Sequence, residues 1–168
     1  IIMKNIVVVA TGGTIAGVGE KGKTVAYHAG EISVNDILSS IPDVKQLANI
    51  EEIQLMNVDS NEMDEKCWLE LATTMNKLVE SDDVDGIVVT HGTDTIEETA
   101  YFLNLTIHTN KPIVVTGAMR PATATSADGP YNLYQAIALA SNSEAYGQGV
   151  MVLFSNTIYS GRDVQKIN

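Results

Sequence analysis

The chain has 168 residues, 45% of them hydrophobic and 18% charged, which excludes an intrinsically disordered segment. Ten basic residues against 21 acidic ones give a net charge of −11, a field that repels phosphate backbones and argues against a nucleic-acid partner. One cysteine, Cys67, rules out an internal disulfide or a cysteine-rich metal site, and His28, His91 and His108 lack metal-ligand spacing.

In chain order, short β-branched runs alternate with longer amphipathic stretches. The runs at Ile6–Ala10, Ile53–Asn57, Gly86–Thr90, Pro112–Thr116 and Val150–Phe154 read as strands buried on both faces of a parallel sheet. Between them, Trp68, Leu71, Met75 and Leu78 recur at helical steps, as do Ile96, Ala100, Leu103 and Ile107, and then Leu133, Ile137 and Ala140. Thr95-Ile96-Glu97-Glu98 has the form of a capping box at the start of the second helix. The alternation predicts one doubly wound α/β domain with a mostly parallel sheet and helices on both faces. Residues 17–31, rich in glycine and without an apolar period, read as a mobile loop. No apolar run reaches the ~18 residues needed to span a bilayer.

Ligands of open parallel sheets bind at the carboxyl ends of the strands. There the chain places Thr11-Gly12-Gly13-Thr14 after the first strand, Thr90-His91-Gly92-Thr93-Asp94-Thr95 after the third and Gly117-Ala118-Met119-Arg120 after the fourth. The first two repeat one device, in which a strand ends, glycine opens the backbone to a ligand, and a threonine hydroxyl is displayed. Each alone is also what a turn or a helix cap requires. Gly17 to Thr24 spells the phosphate-loop pattern G-x-x-x-x-G-K-[ST], yet no strand runs directly into it and no helical period follows, which makes a nucleotide hydrolase a poor reading. Cys67 lies in step with Leu71, Met75 and Leu78 and reads as packing. His91 reads as a structural hydrogen-bonding group, and His28 and His108 as solvent-facing. Glu51-Glu52 and Asp82-Asp83 read as solvated element ends.

The stretches ATGGTIAG (10–17), THGTDTIEETAYFL (90–103), GAMRPATATSADGPYNLY (117–134) and GRDVQKIN (161–168) resemble the bacterial asparaginase/glutaminase family, the periplasmic type II enzymes in particular. The resemblance covers essentially the whole chain. It implies cofactor-free, metal-free hydrolysis of L-asparagine, and often L-glutamine, to the acid and ammonia. By the same resemblance Thr14 is the nucleophile that forms an acyl-enzyme, with Tyr27 as its partner; without the family, an aromatic lid plug is the lesser alternative for Tyr27. Thr93, Asp94 and Lys166 form a second catalytic group, in which the lysine must be neutral to act as a base. Lys166 alone would read as a surface lysine. The backbone N–H groups of Gly13 and Thr93 are the implied oxyanion donors, with Gly92 beside them. Ser60 and Asn61 would hold the substrate α-carboxylate and α-amino groups, or simply cap the next helix. Asn61 stands where the family has Gln or Glu. Ala118 would offer its carbonyl to the leaving nitrogen.

The resemblance implies further that residues 1–168 form the N-terminal catalytic domain of a protein about twice as long. Family members assemble as homotetramers whose sites are shared between subunits. A periplasmic or secreted location follows from the type II likeness, with the cytoplasm as the alternative. A catalytically incomplete amino-acid-binding fragment is the other reading to be tested.

Overall fold

The structure is a computed structural model that describes residues 2–12, 18–19, 27–28, 34–41, 43–58, 62–118, 127–154 and 157–161. The apolar run at the start of the chain forms β1 (Asn5–Gly12), whose residues are buried from Ile6 onward. Two short strands, β2 (Val18–Gly19) and β3 (Tyr27–His28), pair antiparallel with each other. Two short helices, α1 (Val34–Ser39) and α2 (Val44–Leu47), lead into β4 (Asn49–Val58). Then follow α3 (Glu65–Glu80), β5 (Gly86–Thr90), α4 (Ile96–Thr106), β6 (Ile113–Thr116), α5 (Gly129–Ala140), β7 (Val150–Phe154) and β8 (Thr157–Ser160).

Six strands make one sheet in the order β4-β1-β5-β6-β7-β8. All pairings are parallel except β7 with β8. Side chains alternate across this sheet and divide the core in two. Val8, Ala10, Val88, Val114 and Leu153 pack with Ile37, Leu38, Leu133 and Ile137 of α1 and α5. Val7, Val9, Val89, Val115 and Val152 pack on the other face with Leu71, Met75, Ala100 and Leu103 of α3 and α4. Helices on both faces make the fold doubly wound, as expected. Counted among the first five strands of the sheet, the order is 2-1-3-4-5, so the winding reverses between β1 and β5. Ligands of such sheets bind in the crevice at the carboxyl side of that reversal.

Three expectations need correction. The second strand is not a doubly buried run over 53–57; β4 begins at Asn49, lies at the sheet edge and is only partly buried. Glu51 and Glu52 accordingly sit inside β4, opposite Val7 and Val8, because an edge strand keeps its charges in contact with water. Within residues 17–31, read as a mobile loop, Val18 pairs with His28 and Gly19 with Tyr27; the rest of that stretch lies outside the described residues. Thr95 is the N-cap of α4 as expected, but its side chain makes no capping bond to the helix. His108 is exposed and Cys67 packs against the α3–α4 core, as read from the sequence.

Candidate active site

Local geometry brings the carboxyl ends of four strands together. β1 shifts register against β4 between Ala10 and Gly12, so that Gly12 pairs with Val58. Gly12 has φ 110°, and a Cβ there would stand 2.5 Å from the Val58 nitrogen and 2.6 Å from its oxygen. Only glycine permits both the left-handed backbone and this approach. This approach holds the last residue of β1 against the last residue of β4. Thr11 is buried, and its hydroxyl donates to the Thr90 carbonyl at 2.7 Å. Across the next gap, the His91 N–H donates to the Thr116 carbonyl at 2.9 Å. The Thr116 hydroxyl donates to the Leu153 carbonyl at 2.7 Å.

The loops after β5 and β6 are packed directly on each other. A Cβ at Gly117 would fall on the His91 carbonyl oxygen and lie 3.5 Å from the Thr93 methyl carbon. Each loop is also held from behind by a buried polar side chain. Asn132 on α5 donates through Nδ2 to the Gly117 carbonyl at 2.8 Å. His91, only 1% exposed, contacts the Gly92 carbonyl through Nδ1 at 2.6 Å and the Thr99 hydroxyl through Nε2 at 2.8 Å. A carbonyl only accepts, so Nδ1 carries the proton and Nε2 accepts from Thr99. The Thr99 oxygen in turn accepts from the Trp68 indole N–H at 2.8 Å. Every member of the relay is satisfied with His91 neutral. Burial pushes the His91 pKa from 6.5 down to about 4, against a smaller upward pull from the Gly92 carbonyl.

Of the residues expected to form the site, the described structure brings together Gly92, Thr93, Asp94 and Ala118. Gly92 and Ala118 are buried, Thr93 is half-buried and Asp94 is exposed on the loop. α4 begins at Ile96, two residues beyond Asp94, so Asp94 precedes the helix rather than starting it. Tyr27 is placed in β3 by its backbone. Gly13, Thr14, Ser60, Asn61 and Lys166 lie outside the described residues. β2 falls inside the phosphate-loop lookalike and pairs antiparallel with β3, and the other residues of that lookalike lie outside the described residues. Thr11, Thr99, Trp68 and Asn132 were not singled out as functional by sequence reasoning. The visible signals were Thr11 within the strand-end Gly-Thr motif and a polar Asn132 on the apolar face of α5.

A doubly wound sheet whose reversal point carries the Gly92-Thr93-Asp94 loop at a strand end defines a class, the α/β proteins that bind small ligands at the strand ends. A family model described as "Asparaginase, N-terminal" matches residues 5–168. The chain belongs to that asparaginase family. It is 53% identical over 163 residues to the glutaminase-asparaginase of Acinetobacter glutaminasificans, covering 96% of this chain and 49% of that protein. It is 47% identical over 164 residues to a protein of Haemophilus influenzae named "Probable L-asparaginase periplasmic", covering 98% and 46%. Among solved structures, the "Probable Cytoplasmic L-asparaginase" of Campylobacter jejuni superimposes with TM-score 0.92 at 49% identity, covering 95% of this chain and 49% of that one. The chain thus spans about half the length of the curated relatives it matches.

Proposed function

We propose that residues 1–168 are the N-terminal catalytic domain of an amidohydrolase that converts L-asparagine, and also L-glutamine, to the acid and ammonia. The observation that carries this reading is the Gly92-Thr93-Asp94 loop seated on the Gly117–Ala118 loop at the reversal point of the sheet, in a member of the asparaginase family. In this reading the Thr14 hydroxyl attacks the side-chain amide carbon, with Tyr27 receiving its proton, and forms an acyl-enzyme ester. The Gly13 and Thr93 N–H groups stabilise the oxyanion, and the amide nitrogen takes the proton back from Tyr27 and leaves as ammonia past the Ala118 carbonyl. Water, deprotonated through Thr93 and Lys166, then releases the acid. Ser60 and Asn61 hold the α-carboxylate and α-amino groups, while Asp94, exposed on its loop, receives the substrate ammonium. No metal or cofactor takes part. The same reading makes the whole protein a homotetramer with sites shared between subunits, and a periplasmic or secreted enzyme.

The test is ammonia release by the full-length protein with asparagine, glutamine and ATP as separate substrates. Release from the two amides and none from ATP is expected. Binding of asparagine without turnover would favour the binding-fragment reading, and ATP hydrolysis abolished by Lys23→Ala would favour the nucleotide hydrolase.

A further inference from the structure

The ladder between β1 and β5 runs from Ile6–Gly86 to Ala10–Thr90 and stops there. On its other side β1 stays paired with β4, whose register skips from Gln54 opposite Ala10 to Val58 opposite Gly12. Where the ladder with β5 ends, the Thr11 hydroxyl donates to the Thr90 carbonyl at 2.7 Å and ties the end of β1 to the end of β5. Thr11 is 1% exposed, so water cannot substitute for it. The acceptor carbonyl and the His91 N–H belong to one planar trans peptide and point in opposite directions. The carbonyl is held from the β1 side by Thr11, and the N–H is held from the β6 side by the Thr116 carbonyl at 2.9 Å. This doubly pinned peptide leads straight into Gly92, Thr93 and Asp94.

We propose that Thr11 is a positioning residue for the reaction, its hydroxyl setting the spacing between the end of β1, which leads to Gly13 and Thr14, and the β5 loop that carries Thr93 and Asp94. The inference rests on the proposed amidohydrolase reading for its kinetic consequence, but not for its structural one. Thr11 touches no substrate; it acts through the Thr90–His91 peptide. Thr11→Val keeps the shape and removes only the donor, and Thr11→Ser restores the donor.

In the full-length protein, Thr11→Val is expected to lower kcat for asparagine by ten- to a hundredfold, the scale of a misplacement of about 1 Å, with KM changed less than about threefold. Thr11→Ser is expected to stay within about threefold of the unaltered protein. Amide hydrogen exchange gives a readout independent of turnover. A peptide spanning 91–95 should exchange faster in Thr11→Val and not in Thr11→Ser, while α3 is unchanged. If Thr11→Val does not fold, Thr11→Ser is read alone, and a tenfold loss of kcat in it overturns the proposal. Unaltered kcat together with unaltered exchange over 91–95 in folded Thr11→Val also overturns it. A failure of the unaltered protein to hydrolyse either amide would refute the proposed function instead, and the exchange comparison would then decide the role of Thr11.

Discussion

Lowering the pH from 7 to 4 should remove a defined share of stability through His91. The side chain is 1% exposed and its two ring nitrogens are committed to the Gly92 carbonyl and the Thr99 hydroxyl. A proton on Nε2 would break the Thr99 bond and bury a charge, which is why burial lowers the pKa from 6.5 to about 4. In the unfolded chain His91 is solvated and returns to ~6.5. Between those values the unfolded state binds the proton and the folded state does not, so stability falls as the pH falls. The contribution is fully present above pH ~6.5 and is gone once the pH reaches ~4. At 1.36 kcal/mol for each unit of pKa, the difference amounts to about 3 kcal/mol. Carboxylates also titrate near the lower limit, so the measurement is a comparison with His91→Gln at each pH. Trp68, the single tryptophan of the chain, donates to the same Thr99 hydroxyl, and its fluorescence reports urea unfolding of the relay itself. The stability of the unaltered protein relative to His91→Gln should drop by about 3 kcal/mol between pH 7 and 4. A difference flat within 0.5 kcal/mol, or an imidazole titrating near 6.5 by NMR, would refute the buried neutral assignment.

Gly12→Ala should destabilise the fold by more than about 2 kcal/mol in urea unfolding, because it combines a left-handed φ of 110° with a Cβ against the Val58 backbone. Gly117→Ala would drive its methyl into the His91 carbonyl oxygen, so it should both lower the melting temperature and reduce amide turnover. Trp68→Phe keeps an aromatic ring against Phe102, now at 5.9 Å between centroids, but loses the N–H to Thr99; it should cost about 1 kcal/mol and leave the fold intact by circular dichroism.

The strands buried on both faces were legible, two of them to the residue and β1 and β6 to within two residues at either end. β5 and β7 fall at Gly86–Thr90 and Val150–Phe154 as read, because double burial selects an unbroken β-branched run. β4 was misplaced because an edge strand tolerates Glu51, Glu52 and Gln54, which interrupt the apolar signal. β8 and α1 were missed outright. Four exposed residues and a helix of six carry no period long enough to detect. At the site, the Gly-Thr loops announced themselves through turn chemistry at strand ends. The relay from Trp68 through Thr99 to His91 did not, because Trp68 and Thr99 are 31 residues apart and meet only when α3 and α4 pack on the same face of the sheet. Thr11 was visible as part of a Gly-Thr motif, but its partner, a backbone carbonyl 79 residues away, has no sequence signature.

The central claim is that a threonine hydroxyl delivered by the end of β1 opens the amide. Rapid quenching of the full-length protein during asparagine turnover, followed by digestion and mass spectrometry, tests it most directly. The account predicts a β-aspartyl ester on the peptide containing Thr14, absent from Thr14→Val, whose turnover falls by several orders of magnitude. An ester found on Thr93 instead, or more than a tenth of the turnover retained by Thr14→Val, would contradict it.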